Sequence, residues 1–228
     1  MKNHFLTALI ALMFGFAGAG LWSATGLGNG QVRDYLVSNP DILPEMAEAY
    51  QQGQAKDRLA QVSDTVEDGF PGAVLGNPQG SKVLVKFTDY NCTYCRQSVA
   101  GVDQLIAADP DLKVVVREWP IFEGSEGPAR MGLAAAKQGK YAAFYHAMFE
   151  LGPPTAQTVE QAGQIAGLDM EAARTFAASQ EASDALAQNI SLASSLGFSG
   201  TPSWVAGGQV IEGLVPTARL AEALETEG

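Results

Sequence analysis

Two cysteines, Cys92 and Cys95, are the only cysteines among the 228 residues of this chain. Two residues separate them, so in a helix their side chains would lie one turn apart on the same face. A disulfide used only as a structural staple would contribute little here, because its stabilising effect grows with the length of the loop that it closes. The spacing therefore favours chemistry at the two sulfur atoms.

The two sulfur atoms are predicted to have different tasks. Cys92 stands where a helix is predicted to begin, and the partial positive charge of a helix N-terminus lowers the pKa of a thiol below its free value of about 8.5. Cys95, one turn further along, could attack a mixed disulfide made through Cys92. We predict that both are catalytic, with Cys92 as the nucleophile and Cys95 as the resolving thiol.

A pair of cysteines can also hold haem, zinc or copper(I). A c-type haem site needs histidine after the second cysteine, where this chain has Arg96. Zinc needs further ligands, and His146 stands in an aromatic segment where a packed or surface role is expected. Copper(I) stays open, since two soft thiolates can hold it. We predict no cofactor and no metal, with a copper(I)-binding or scaffold protein as the alternative.

The elements around the cysteines predict an α/β arrangement. The segment SKVLVKFTDY, which ends just before Cys92, reads as a strand buried on both faces. A helix up to about Pro110 and a second buried strand, LKVVVREWP, follow it. A strand, a helix and a strand in one sheet imply a right-handed crossover, with the cysteines at the carboxyl end of the first strand, where such sheets place their sites.

The rest of the chain adds helices and a hairpin. From Pro128 to about Leu196 the sequence is rich in alanine and offers no strand candidate. The segment TPSWVAGGQVIEGLVP then reads as two short strands around Gly207-Gly208, a pair typical of hairpin turns. A last helix is predicted over Pro216–Leu224.

The N-terminus reads as an export segment. Lys2 precedes an uncharged stretch from Phe5 to Trp22, and Ala17-Gly18-Ala19 suits cleavage by a signal peptidase. The stretch also just reaches the length of a membrane span. We therefore predict a signal peptide or membrane anchor over residues 1–27, with the remainder in the periplasm, either soluble after cleavage or held by the anchor.

Residues 28–68 are predicted to form a helical arm. Asn39 looks like an N-cap, with Pro40 at the first helical position. A narrow apolar stripe follows, made of Ile42, Leu43, Met46, Ala49 and Tyr50. A helix with so narrow a stripe cannot form a core alone, so it either joins copies of the chain or packs on the main domain.

The net charge limits the choice of partners. The formal charge is −11, whereas binding to nucleic-acid phosphates needs a basic surface. We therefore predict no nucleic-acid partner.

The order of these features resembles the DsbA-like branch of the thioredoxin superfamily. The resemblance covers about Phe70 to the C-terminus and rests on the strand, the CxxC helix, the helical insertion and Gly200-Thr201-Pro202 before the hairpin. It implies a thioredoxin fold over residues 69–228, with a helical insertion at about 120–196. It also implies a cis peptide bond at Pro202, which would lie against the cysteines, although an ordinary turn proline is the alternative. The substrate-binding residues would then be Thr93, Tyr94, Thr201 and Pro202.

Two segments, NPDILPEMAEAY and FTDYNCTYCR, further resemble exported ScsC-type proteins, some of which oligomerise through N-terminal helices. Thr93-Tyr94 resembles the Gly-Tyr pair of those proteins and of the isomerase DsbC, whereas strongly oxidising members carry Pro-His. A threonine before the cis-proline, here Thr201, also resembles the isomerases of the family. Lys86 departs from the family, which usually buries an acid six residues before the first cysteine. It would either point to solvent or take an active role.

The resemblance implies an exported thiol:disulfide oxidoreductase that forms or isomerises disulfides in periplasmic proteins. Its partners would be exported proteins with thiols or disulfides, and a membrane redox partner that recycles the pair. A homo-oligomer is a further possibility. The direction of the reaction is left open, because it depends on the reduction potential and on the redox partner.

Overall fold

A computed structural model describes residues 8, 10–18 and 27–226. Within the predicted export segment, residues 10–18 are helical. The chain divides into two compact units, Met1–Gln52 and Gly53–Gly228. Most of the predicted export segment, including Ala19 of the proposed cleavage motif, lies outside the described residues. In the part of the chain that is described, no helix combines the length and the apolar character needed to cross a membrane.

The described part of the first unit is mostly helical. It contains α1 (Leu27–Ser38), a 3₁₀ turn (Pro40–Ile42) and the start of α2 (Leu43–Ala60). Asn39 is the N-cap residue of the 3₁₀ turn and Pro40 its first residue, as predicted, but the Asn39 side chain makes no capping hydrogen bond. Its Nδ2 instead donates to the backbone carbonyl of Tyr35 at 2.7 Å.

The predicted apolar stripe of the first unit is largely exposed. Leu43, Met46 and Tyr50 have 65%, 46% and 68% of their surface accessible. Such side chains do not form a core within their own helix. Their role in joining subunits stays a prediction.

The second unit contains a sheet of five strands within the described residues. The strands are β1 (Val74–Gly76), β2 (Lys82–Thr88), β3 (Leu112–Glu118), β4 (Ser203–Ala206) and β5 (Gln209–Glu212), in the spatial order β1-β3-β2-β4-β5. Only β2 and β3 are parallel. The hairpin β4–β5 turns at Gly207-Gly208, as predicted. Strand β1 was not predicted, because its three residues stand among turn signals.

Helices surround this sheet, some packed on the strands and others on neighbouring helices. They are α3 (Ser63–Val66), α4 (Thr93–Ala108), α5 (Glu126–Lys137), α6 (Tyr141–Leu151), α7 (Ala156–Ile165), α8 (Met170–Ala177), α9 (Gln180–Leu196) and α10 (Thr217–Leu224). Helix α4 connects the parallel strands β2 and β3. Helices α5 to α9 lie between β3 and β4, and this stretch of residues 119–202, all of it described, contains no strand.

The two faces of the sheet bury different side chains, because successive residues of a strand point to opposite sides. On one face, Leu84 and Val114 belong to a cluster that includes residues of α4, α5 and α6. On the other, Val85 and Val115 pack with residues of α9. Lys86, two residues after Leu84, therefore points into the face that α4 covers.

A buried arginine fastens the start of the second unit to the sheet. The Arg117 guanidinium donates to the backbone carbonyls of Thr65, Val66 (2.9 Å) and Asp68 (2.8 Å). It also donates to Asn189 Oδ1 at 3.1 Å, while Asn189 Nδ2 donates to the carbonyl of Glu118. Burial lowers the pKa of Arg117 to about 10. Val66 is itself part of the core.

Candidate active site

Cys92 is the N-cap residue of α4. Strand β2 ends at Thr88, and a short turn brings the chain to Cys92, whose extended backbone precedes the first helical residue, Thr93. The Cys92 sulfur accepts a hydrogen bond from the backbone N–H of Cys95 at 3.4 Å. This bond satisfies one of the N–H groups that a helix N-terminus leaves without a partner. The sulfur thus occupies the position that the sequence predicted.

The surroundings of the two thiols push their pKa values apart. A hydrogen bond from the Cys95 thiol is the main cause that lowers the pKa of Cys92 to about 5, against the opposing effect of burial. Backbone N–H groups of Cys95 and Tyr94 act in the same direction. Burial, followed by that same bond to Cys92, raises the pKa of Cys95 well above its usual range. At neutral pH, Cys92 is therefore the thiolate and Cys95 the thiol.

The loop before β4 closes the site from the other side. The peptide bond between Thr201 and Pro202 is cis, as the resemblance implied. The Cys92 sulfur lies 3.2 Å from the Thr201 carbonyl oxygen. Strand β4 holds this loop in place, since Ser203 is the register partner of Phe87 near the end of β2.

The predicted substrate-binding residues divide into an exposed and a buried pair. Thr93 and Tyr94 are exposed, with 60% of Tyr94 accessible. Thr201 is 8% accessible, and Pro202 is buried as well. The fold brings Thr201 beside Cys92, and the contacts that these four residues would make with a substrate stay predictions.

Lys86 is fully buried, so the alternative that it points to solvent is wrong. Its Nζ donates to Ser98 Oγ at 2.9 Å and to the Tyr145 hydroxyl at 2.6 Å. The same nitrogen lies 5.2 Å from the ring centres of Tyr145 and Trp204 and 5.8 Å from that of Phe149. Aromatic faces of this kind attract a cation. Burial nevertheless lowers the pKa of Lys86 to about 8.

A buried acidic residue, Glu118, lies on the same face of the sheet and was missed in the sequence. Its Oε1 accepts hydrogen bonds from the hydroxyls of Tyr90 and Tyr141, both at 2.7 Å. Its Oε2 is buried and has no hydrogen-bond partner. Burial raises the pKa of Glu118 to about 8, although both hydroxyls and Lys86 oppose this shift. The only sequence signal was an acid at the end of a buried strand.

Asp89 fixes a second loop beside the cysteines, and sequence reasoning missed this residue too. Its Oδ2 accepts from the backbone N–H groups of Ile121 (2.8 Å) and Phe122 (3.1 Å). Its Oδ1 accepts from the Asn91 N–H and the Ser125 hydroxyl. The side chains of Ile121 and Phe122 are exposed. Asp89 thus ties an apolar loop to the turn that carries Cys92.

Few residues near the site could hold a metal. Among the described residues, no group of three or more His, Cys, Asp or Glu side chains is placed to bind one. His146 Nε2 lies 3.6 Å from Asp103 Oδ1, where a partly exposed ion pair can form. Cys92 and Cys95 would be the ligands of any metal bound here, and the raised pKa of Cys95 disfavours its thiolate.

Two family models match the chain. Residues 83–225 match the DSBA-like thioredoxin domain, which covers more than half of the sequence. Residues 29–56 match the Copper resistance protein ScsC N-terminal domain. Among curated proteins, no match is found.

Solved structures resemble the chain over most of their length. A thioredoxin-like oxidoreductase from Silicibacter pomeroyi is 40% identical, covers 71% of this chain and 95% of its own, and has a TM-score of 0.67. A linker-deletion mutant of Proteus mirabilis ScsC is 26% identical, with 85% and 90% covered and a TM-score of 0.70. A periplasmic thioredoxin-like protein from Salmonella enterica serovar Typhimurium is 27% identical, with 67% and 87% covered and a TM-score of 0.58.

The matched residues 83–225 contain the helix that begins at the cysteines and the cis-proline. The chain belongs to the DsbA-like thioredoxin family of thiol:disulfide oxidoreductases.

Proposed function

We propose that the protein exchanges thiols and disulfides with other exported proteins through Cys92 and Cys95. Cys92 is the nucleophile and Cys95 the resolving thiol. The observation that carries this proposal is the position of the Cys92 sulfur at the N-terminus of α4, where it accepts a hydrogen bond from the backbone N–H of Cys95. There the Cys95 thiol lowers the pKa of Cys92 to about 5. A thiol with so low a pKa is a thiolate at neutral pH, which is the form that attacks a disulfide.

The reaction proceeds in two exchanges. The Cys92 thiolate attacks a disulfide sulfur of the partner, and one partner sulfur leaves as a thiolate while a mixed disulfide forms. Cys95 then attacks Cys92, which releases the second partner sulfur and leaves a Cys92–Cys95 disulfide. Run in reverse, the same steps oxidise two partner thiols, so the direction follows the reduction potential and the recycling partner.

An extended partner segment is expected to lie along the loop at Thr201. The Thr201 carbonyl lies beside the Cys92 sulfur, where a substrate strand could pair with backbone groups as a strand adds to a sheet edge. Tyr94, Ile121 and Phe122 present exposed apolar side chains near this loop or the cysteine turn. They would suit a partner that is not yet fully folded.

The cellular setting follows from the N-terminus and the relatives. We place the protein in the periplasm, because residues 1–27 read as an export segment and one related structure is a periplasmic protein. A membrane redox partner would recycle the pair. The match of residues 29–56 to an ScsC N-terminal domain supports a homo-oligomer formed by the helical arm. Facing active sites in an oligomer would favour isomerisation over simple oxidation.

Trapping of mixed disulfides tests the assignment of the two cysteines. The Cys95→Ala variant should accumulate covalent complexes with disulfide-containing proteins, because nothing resolves them. The Cys92→Ser variant, in which the nucleophile is lost, should form none. Non-reducing gels followed by reduction measure both. Equal trapping by the two variants would overturn the assignment.

Copper(I) binding by the same two sulfur atoms is the second candidate, because residues 29–56 match the domain of a copper resistance protein. The high pKa of Cys95 favours redox chemistry instead, since copper(I) needs both thiolates. Competition with a copper(I) chelator separates the two functions. Tight binding without turnover of thiols would favour the copper function.

A further inference from the structure

Lys86 is a buried cation that the two exchange steps leave unused. It lies on β2, and its side chain enters the core between the sheet and helices α4 and α6, where it contacts Ser98 and Tyr145. Placing a lysine there costs free energy, because a buried charge loses its hydration. Three aromatic rings and two hydroxyls offset part of that cost. A buried lysine that interacts electrostatically with the reacting cysteines suggests a function.

Charged and titratable groups face Lys86 from each of its neighbours. From α4 these are Cys95, Asp103 and Cys92, and from β3 the group is Glu118. From α6 the Tyr145 hydroxyl accepts a hydrogen bond from Nζ. After desolvation, which lowers the pKa of Lys86 to about 8, Cys95 is the largest influence and raises it. Lys86 and Cys95 therefore influence each other's ionisation.

A route to solvent begins at Ser98. Its hydroxyl accepts from Lys86 Nζ and donates to the Cys95 carbonyl at 2.7 Å, one turn along α4. Ser98 also lines a surface cavity of about 450 Å³, together with Trp204 and Thr217. Trp204 is one of the rings beside Nζ. Water in this cavity could exchange protons with Lys86 through the Ser98 hydroxyl.

We propose that Lys86 carries the proton of Cys95 during disulfide exchange and passes it to solvent through Ser98 and the adjoining cavity. The proposal rests on the proposed function, because it needs Cys95 to be the resolving thiol. The resemblance places a buried acid at this position in most members of the family. Lys86 would accept the same proton as that acid, but as a neutral amine instead of a carboxylate.

The resolving step moves one proton and breaks one disulfide bond as another forms. Cys95 attacks the Cys92 sulfur of the mixed disulfide, and its S–H proton passes to the neutral Lys86 amine. A Cys92–Cys95 bond forms, the bond from Cys92 to the partner sulfur breaks, and that sulfur leaves as a thiolate. Over both steps, two electrons pass from the two cysteines to the partner's disulfide. In reverse, the Lys86 ammonium returns the proton to Cys95 as it leaves.

An aromatic disulfide, Ellman's reagent, resolves the two steps in one experiment. When it is mixed with the reduced protein, the first coloured thiolate reports attack by Cys92 and the second reports attack by Cys95. In the unmodified protein, the rate of the second release should rise with pH and level off above about pH 8. If the rate of the second release did not depend on pH around this value, the unmodified protein alone would overturn the proposal.

Variants at Lys86 test the proton transfer itself. Lys86→Met should slow the second release by roughly 10²-fold at neutral pH, within the range of general acid–base catalysis. Its rate should keep rising with pH without levelling off, because Cys95 must then ionise alone. Lys86→Arg should behave like Lys86→Met, since a guanidinium does not give up its proton. An arginine variant with the rate and pH profile of the unmodified protein would show that charge alone suffices, and would overturn the proposal.

Two matched variants separate Lys86 from its neighbours. Lys82→Met, on the same strand but partly exposed in ion pairs with Asp109 and Glu225, should leave both releases unchanged. Glu118→Gln should keep the levelling near pH 8, although Glu118 titrates in the same range. If Glu118→Gln removed the levelling and Lys86→Met did not, the proton carrier would be Glu118 and the proposal would be wrong.

The two proposals can fail separately. If the unmodified protein released no first thiolate, or released it equally after Cys92→Ser, the proposed function would be wrong. If both releases occurred and Lys86→Met changed neither the rate nor the pH profile of the second, only the role of Lys86 would be wrong.

Discussion

The carbonyl oxygen of Thr201 lies 3.2 Å from the Cys92 sulfur, although 109 residues separate the two in the chain. The pairing of β4 with β2 produces this contact, because it places the loop at Pro202 next to the end of β2. The loop therefore belongs to the environment that sets the properties of Cys92.

The Thr201 side chain should tune Cys92 without supporting the fold. Its hydroxyl is buried beside the Cys92 sulfur. After the larger effect of the Cys95 thiol, it helps to lower the pKa of Cys92. Thr201→Val should raise the pKa of Cys92 and shift the reduction potential, while the free energy of unfolding changes by less than about 1 kcal/mol. Equilibration with glutathione measures the potential, and urea unfolding measures the stability. An unchanged potential and pKa would exclude the side chain from the site.

The sequence allowed prediction of the site where its signals were local. The CxxC spacing and the preceding strand located Cys92 at the start of α4, and the family resemblance located Pro202. The prediction that β2 is buried on both faces also implies a buried Lys86. The sequence alone nevertheless left a solvent-facing side chain as one alternative for this lysine. Glu118 could not be assigned, since its two tyrosine partners meet it only in the folded chain.

Lys86 should reduce stability at neutral pH. Its pKa is lowered from 10.5 to about 8 by burial, so below pH 8 the folded state carries the charge at full cost. Between about pH 8 and 10.5 the unfolded state binds more protons, and the cost disappears as pH rises. Lys86→Met should therefore raise the free energy of unfolding at pH 7, by up to about 3 kcal/mol. Urea unfolding across this pH range measures the gain. A destabilised variant, or a gain that persists at high pH, would contradict this reading.

Two glycines of α5 should respond oppositely to alanine. A Cβ at Gly132 would lie 2.6 Å from Glu118 Oε1 and 3.0 Å from the Tyr90 hydroxyl, both held by hydrogen bonds. Gly132→Ala should cost about 1–3 kcal/mol through overpacking. Gly127, on the same helix, has nothing within 4 Å of such a Cβ. Gly127→Ala should stabilise by about 0.5–1 kcal/mol. Thermal unfolding of both variants measures the two changes in stability. Equal changes would argue against a tight fit at Gly132.

Removal of the helical arm should separate oxidation from isomerisation. The cut belongs near Gln52, before the end of the predicted arm at residue 68, because Leu59 and Val66 lie in the core of the second unit. Arg117 also donates to the Val66 carbonyl. A chain that starts at Gly53 should be a folded monomer that oxidises dithiols but repairs scrambled disulfides poorly. Light scattering and refolding of a scrambled protein measure the two properties. A longer chain, from residue 28, that is monomeric at high concentration would refute the arm as an oligomerisation element.

The central claim is that Cys92 is a thiolate at neutral pH because α4 and Cys95 hold its charge. Ultraviolet absorbance of the reduced protein, titrated with acid, measures this most directly, since thiolates absorb and thiols do not. The absorbance should fall in one step with an apparent pKa of about 5, and Cys92→Ser should abolish that step. A pKa of about 8 or above, the range of an ordinary free thiol, would contradict the assignment of Cys92 as the nucleophile.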